Sequence, residues 1–197
     1  MRTVFTSVLM CVLAVCAGCA SEPPAKAPES AQKPAEPAAP PEVQSAATAV
    51  LGEDAEVLVF GDLAKTGNQQ VLVINRIKKT PENTVPGILL TRATILSQQD
   101  GKWSELLHVD EHLKNTNGFL AATPVAPVTG WRLQYEQHAE KGLQLYFTPL
   151  QQPAGGTLQT IGVRWNPKVK RYQSLDRTYE HFLGEAPALE KIKLYLH

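Results

Sequence analysis

The chain has 197 residues, with 19 basic against 19 acidic side chains, 43% hydrophobic residues and 3 cysteines. That length predicts one domain with additional segments, and the even charge argues against nucleic acid or a polybasic membrane surface as partner. Position says more than totals: Cys11, Cys16 and Cys19 all lie near the amino terminus, and 7 of the 15 prolines fall between Pro23 and Pro41.

At the start of the chain, Arg2 supplies one positive charge, and Val4 to Val15 is apolar apart from Thr6 and Ser7. A membrane-spanning helix needs about 20 apolar residues, and this run is much shorter. A basic start, a short apolar core and small residues after it predict a secretory signal peptide over residues 1–18. Ala17-Gly18-Cys19 then resembles the lipobox of bacterial lipoproteins. In that family the cysteine thiol takes a diacylglycerol, cleavage exposes its amine, and the amine is usually acylated too. The resemblance implies a lipid anchor on Cys19, whose several acyl chains meet the requirement for stable membrane attachment. Cys16 stands where the family usually carries an aliphatic residue. A lipobox ending at Cys16 would place the bulky Val15 beside the cleavage site, and plain secretion after Ala17 or Ala20 would leave Cys19 a free thiol. Ala20 and Ser21 follow the cysteine where an Asp would imply retention at the inner membrane. The resemblance therefore implies an outer-membrane protein facing the periplasm.

From Ser21 to Pro41 the sequence reads SEPPAKAPESAQKPAEPAAPP. Proline fixes φ and lacks an N–H, and no large apolar residue is present to build a core. Polyproline II rises about 3.1 Å per residue, so this stretch is expected to act as a stand-off tether reaching roughly 60 Å. Residues 19–50 are thus expected to form the lipidated cysteine and a Pro/Ala-rich flexible linker, with a short helix at Val43 to Val50. A single globular domain is expected over 51–197, long enough to bury one core. It contains every Trp and Tyr of the chain and no cysteine. That rules out an internal disulfide, a cysteine nucleophile, a Cys-ligated zinc site and an iron–sulfur cluster within it.

The domain reads as mainly β, with antiparallel hairpins of sandwich or partial-barrel type and one or two short peripheral helices. Val71–Ile74 is a continuous apolar run and predicts a central strand. Asp100-Gly101 marks a turn between Ala93–Gln98 and Lys102–His108, because Asp-Gly tolerates positive φ. Trp131, Leu133 and Tyr135 alternate with Arg132, Gln134 and Glu136, the period of a half-buried strand. After a turn near Glu140-Lys141-Gly142, Leu143, Leu145 and Phe147 repeat that alternation. A third hairpin is expected from Ile161–Trp165 across Asn166-Pro167 to Arg171–Leu175. Helical signals are few: Glu111–Lys114, Tyr179–Leu183, and Leu189–Leu196, which reads equally as a last strand.

Three segments carry candidate chemistry. Phe60-Gly61-Asp62-Leu63, with Gly67 and Val71-Leu72-Val73 following, resembles one FG-GAP or VCBS-type repeat unit. That resemblance implies a strand, a loop able to hold calcium, and a second strand. Calcium takes about 6 to 8 oxygen ligands, and here Ala64 and Thr66 occupy the loop's further acidic positions, leaving Asp62 with at most Asn68. The other reading is a β-hairpin whose turn Asp62 and Gly67 shape.

His108-Val109-Asp110-Glu111-His112 matches H-x-x-E-H, the inverted zinc-peptidase pattern. On a helix, His108 and His112 would share one face and Glu111 would stand beside them as base. Leu106–Val109 reads instead as a strand end, with Asp110 an N-cap at the strand-to-helix junction. Trp165, Lys168, Lys170, Arg171 and Tyr172 form a basic hairpin with aromatic ends, readable as an anionic-ligand or glycan patch or as a solvated turn on an inward-facing row of Ile161, Val163 and Trp165.

No nucleophile elbow, Walker loop or dinucleotide fingerprint is present in the sequence. No catalytic residue, metal or cofactor is assigned. The expected function is a membrane-anchored, noncatalytic binding or envelope-interaction module, its partner an envelope protein or glycan and not nucleic acid. The alternatives are a zinc hydrolase on the HVDEH segment, or an inhibitor of a cell-wall hydrolase acting through a protruding loop.

Overall fold

The computed structural model describes residues 39–78, 85–152, 158–177 and 181–183. One helix, α1 (Pro41–Leu51), precedes β1 (Ala55–Gly61), β2 (Gln70–Arg76), β3 (Ile88–Gln99), β4 (Lys102–Val109), β5 (Leu113–Asn115) and β6 (Gly118–Phe119). β7 (Trp131–His138), β8 (Gly142–Pro149), β9 (Ile161–Asn166) and β10 (Arg171–Ser174) come after them. The strands form one antiparallel sheet curled into a half-barrel.

The three hairpins expected from turn chemistry are present. Between β3 and β4, Asp100 and Gly101 have φ of 49° and 74°, the left-handed pair that matches a two-residue turn to strand twist. β7 and β8 pair from Trp131↔Pro149 to His138↔Gly142, and β9 and β10 from Val163↔Ser174 to Asn166↔Arg171. In the last turn Asn166 Oδ1 accepts from the Lys168 N–H at 3.0 Å, the side-chain bond that makes Asn a turn former.

β3 organises the sheet. One of its edges takes β2, from Gln70↔Ser97 to Arg76↔Leu90. The other edge is divided: β4 takes Ala93–Gln99 and β7 takes Ile88–Leu90. Two branches leave that divided edge, one through β5 and β6, the other through β8, β9 and β10. They bend back towards each other until Asn115 Nδ2 donates to the Tyr172 carbonyl at 2.7 Å. The inward-facing residues fill the concavity, with Leu72, Ile95, Leu107, Leu133, Leu145, Phe147 and Val163 fully buried. Trp131 meets Phe147 edge-on with centroids 6.1 Å apart, and its indole N–H donates to the Asp110 carbonyl at 2.6 Å.

Continuous apolar character in Val71–Ile74 has a specific cause. Leu72 and Ile74 face the concavity, whereas Val71 and Val73 lie on the outer face with Leu96, under Val43, Ala47 and Leu51 of α1. The i, i+4, i+8 spacing of those three gives the helix a single apolar stripe. Pro41 sits in its first turn, where a missing N–H costs nothing, and Gly52 ends it at φ 85°. Asn75 Nδ2 then donates to the Leu51 carbonyl at 3.1 Å, tying the open helix end to β2. The short helix expected at Val43 to Val50 is thus present as α1, and its Val43, Ala47 and Leu51 join the domain's second apolar cluster.

Other helical expectations are corrected. Leu113–Asn115 is strand β5, paired to β4 through Val109↔Leu113, so Glu111–Lys114 forms no helix. Phe182 forms an isolated bridge with Leu175 between a bend at His181 and a turn at Leu183, so the described part of Tyr179–Leu183 is not helical. Leu189–Leu196 lies outside the described residues.

One glycine joins the two halves of the sheet. Gly142 has φ 75°, and a Cβ there would stand 2.4 Å from the Leu63 carbonyl oxygen. That oxygen accepts the Leu143 N–H at 2.7 Å, so the β1–β2 loop lies directly on the β7–β8 turn.

Candidate functional site

The inward rows of β2, β3 and β4 change character at one end of the barrel. Register pairs Leu72 with Ile95 and Ile95 with Leu107, an apolar row. One inward step further, Gln70 pairs with Ser97 and Ser97 with Ser104. Gln70 and Ser97 are almost wholly buried, whereas Ser104 is exposed at the rim. A buried polar row at the mouth of an apolar barrel carries donors and acceptors that must be satisfied by protein, water or ligand.

A cleft of about 490 Å³ opens over this row, within the roughly 300–1,000 Å³ range of small-molecule sites. The β1–β2 loop contributes Thr66 and Asn68, the β3–β4 hairpin adds Gln99 and Leu106, and the β9–β10 hairpin closes the far side with Trp165, Pro167 and Lys170. Among the described residues its lining is therefore amides, hydroxyls, one indole, one ammonium and the apolar Leu106 and Pro167, with no carboxylate.

Each wall has a local cause. Asp62 accepts from the N–H groups of Thr66 (2.8 Å) and Gly67 (3.0 Å), which folds the loop bearing Thr66 and Asn68. Both Asp62 oxygens are thus committed to loop backbone, the hairpin alternative for this segment. Ile161 and Val163 lie in the core, and the third residue of their row, half-buried Trp165, emerges at the cleft. Its ring meets Tyr172 edge-on at 5.4 Å between centroids. Lys170 holds φ at 51°, a left-handed conformation that costs a non-glycine residue stability.

Beneath the cleft, the fully buried Tyr172 donates its hydroxyl to Gln70 Oε1 at 3.1 Å. Burial pushes that hydroxyl well above the usual tyrosine range, and the nearby Asp62 charge adds to the effect. It therefore remains a proton donor at physiological pH. The bond fixes the orientation of the Gln70 amide.

Of the five hairpin residues singled out by sequence, Trp165 and Lys170 line the cleft and Tyr172 supports it from below. Lys168 and Arg171 are not part of its lining. Gln70, Ser97, Gln99 and Ser104 escaped the sequence reading. Their one signal is a polar residue at the inward phase of an otherwise apolar alternation, visible only once register is known.

The H-x-x-E-H segment forms a strand end and a turn, not the helix that would align its histidines. His108 lies on β4, with Nδ1 2.9 Å from Glu105 Oε1 and Nε2 3.1 Å from Asp110 Oδ2. His112 Nε2 faces the Val125 carbonyl at 3.3 Å, its ring edge-on to Phe119, and Glu111 is exposed. Among the described residues no group of three or more His, Cys, Asp or Glu side chains is arranged to hold a metal.

Asp110 is the centre of this cluster. It accepts from the His112 N–H at 2.9 Å and from Lys114 Nζ at 2.8 Å. Burial raises its pKa, but the Lys114 ammonium, the His112 amide and His108 outweigh burial and hold it at about 2. The cluster is a structural clasp between β4 and β5. Cys19 lies outside the described residues.

No protein-family model, no curated protein and no solved structure matches the chain.

Proposed function

We propose that the protein is a lipid-anchored binding module of the cell envelope, held by Cys19 to the periplasmic face of the outer membrane. Its half-barrel takes a polar ligand at the mouth. The observation that carries the binding reading is the cleft over Gln70, Ser97 and Ser104, where apolar barrel rows turn polar beside Trp165. Anchoring is supported by the short apolar leader, by Ala17-Gly18-Cys19 and by the proline-rich tether sequence. The partner is an envelope component, a glycan or a protein bearing polar groups. The lining supplies amides and hydroxyls suited to recognition, and among the described residues it holds no carboxylate or histidine to act as general base.

Two measurements test the two halves. Mass spectrometry of the exported chain should find a diacylglycerol thioether on Cys19, and an unmodified thiol would overturn the anchor. For binding, full-length protein should be retained on the insoluble envelope fraction after detergent extraction. Ser104→Trp, which fills the cleft from an exposed rim position, should release it; equal retention of the variant would overturn the cleft's role.

A second reading, inhibition of a cell-wall hydrolase, is favoured by one observation. Val125 is 99% exposed between Pro124 and Pro127. Its loop is pinned by Leu113 N–H donating to Thr123 Oγ1 at 2.8 Å and by Val128 N–H donating to the Glu111 carbonyl at 3.1 Å. A stiff loop displaying an apolar tip is a shape that enters a cleft. Val125→Asp should abolish inhibition of a lysozyme-type hydrolase if this reading holds, whereas the Ser104→Trp variant should retain it.

A further inference from the structure

We infer that the cleft at the barrel mouth is a saccharide subsite, taking a sugar ring that carries one carboxylate. This rests on the binding reading above and names its ligand class.

Three features of the lining select that chemistry. First, the polar groups are neutral and numerous: the amides of Asn68, Gln70 and Gln99, with the hydroxyls of Ser97 and Ser104. Amides and hydroxyls both donate and accept, which suits vicinal hydroxyls, groups that themselves do both. An inorganic polyanion such as phosphate would call for several cations, and among the described residues the lining offers one, Lys170. A purely apolar ligand would leave buried Gln70 and Ser97 facing hydrocarbon at a cost.

Second, Trp165 presents an aromatic wall among those polar groups. A pyranose has a C–H-lined face and a rim of hydroxyls, so it needs an apolar plate on one side and hydrogen-bonding groups around the edge. Trp165 is held for the first task by its T-shaped contact with the Tyr172 ring. The plate is preorganised, because Trp165 belongs to β9 and its partner to β10 in the same ladder, Tyr172↔Trp165.

Third, Gln70 is oriented in advance. Tyr172 donates to its Oε1, which leaves the amide hydrogens as the end that donates to a ligand oxygen. A polar side chain that lines a cleft and is anchored at one atom is an arrangement by which a site reads a hydroxyl or carbonyl and rejects an analogue lacking it. Lys170 stands across the cleft on the β9–β10 turn, held in a left-handed conformation, and supplies the one charge for an edge carboxylate.

The test titrates isotopically labelled full-length protein with two probes, followed by the Trp165 indole N–H and the Asn68, Gln70 and Gln99 side-chain amide signals. One probe is neutral, an N-acetylglucosamine oligomer; the other is a disaccharide of N-acetylglucosamine and N-acetylmuramic acid, which bears one carboxylate. Both should shift those signals saturably, with the acidic probe tighter by about three- to tenfold at low salt. Lys170→Gln should erase that preference, bringing the acidic probe's affinity down to that of the neutral probe. Trp165→Ala should weaken both by about tenfold or more. Tyr172→Phe, which keeps the ring and removes the donor, separates Gln70 orientation from packing and should weaken both probes.

Equal affinity of the two probes, or no effect of Lys170→Gln, would overturn the carboxylate assignment. Failure of both probes to shift any cleft signal would overturn the saccharide assignment. If envelope retention remained sensitive to Ser104→Trp in that case, the binding reading would stand and the ligand class alone would fall.

Discussion

Two stretches of the same three strands behave in opposite ways. Leu72, Ile95 and Leu107 lie side by side and are sealed from water, while Gln70, Ser97 and Ser104, one inward step along the same strands, form the floor and rim of an open cleft. The β2–β3 register is continuous between them, the β3–β4 ladder is shifted by a bulge between Ile95 and Leu96, and the side chains change from apolar to polar. The apolar row gains its stability from burial, whereas the polar row contributes little to folding and is available for recognition. Stability and binding are therefore carried by neighbouring residues and can be altered separately.

The largest expected effect lies on the sealed side. Phe147→Ala removes a fully buried ring packed edge-on to Trp131 and should cost about 3–5 kcal/mol by denaturant unfolding, enough to leave little folded protein. A loss below about 1 kcal/mol would mean that the apolar row does not hold the barrel. Gly142→Ala comes next, since its Cβ would collide with the Leu63 carbonyl at a left-handed φ. It should destabilise by about 1–3 kcal/mol and shift the Thr66 and Asn68 signals, because the β1–β2 loop rests on that turn. Those signals remaining in place would separate the loop from the turn.

Asp110 gives a pH-dependent version of the contrast. Its carboxyl sits at about 2 when folded, below the roughly 3.9 of an unfolded chain, so it stabilises the fold by about 2 kcal/mol above pH 4. That contribution disappears as pH falls towards 2. Asp110→Ala should show the full loss at pH 7 and almost none near pH 2, with the cleft signals unmoved at pH 7. A loss independent of pH would mean that packing rather than charge is responsible. The smallest effect has the opposite sign. Lys170→Gly relieves a left-handed non-glycine residue and should stabilise the chain by about 0.5–1 kcal/mol while removing the cleft's one cation.

The same contrast marks what sequence reveals. Alternation and turn chemistry located the three hairpins, because Asp100-Gly101, Gly142 and Asn166 act over a few residues. Pairing across distance left no such trace: nothing in Ile88–Leu90 announces that it pairs with β7 while the rest of β3 pairs with β4. A short helix at Val43 to Val50 was legible, but its docking was not: Val43, Ala47 and Leu51 are a sparse stripe beside a proline-rich run, and nothing in Val71 and Val73 marks the strand face that meets them. His108 and His112 satisfied a spacing that has meaning only on a helix. Within the cleft, Trp165 and Lys170 stood out as residue types, whereas Gln70 and Ser97 are unremarkable until register shows that they point inward.

The central claim, that the polar mouth and not the barrel wall is where this protein meets its partner, is open to one direct measurement. A photo-reactive amino acid placed at Gln99 on the cleft rim, or at exposed Glu111 beyond the far end of β4, would be activated in cells making the full-length chain. A partner seated in the mouth predicts an envelope adduct from position 99, lost when Ser104→Trp is added, and none from position 111. Adducts of equal yield from both positions, or an adduct at 99 that survives the filled cleft, would contradict it.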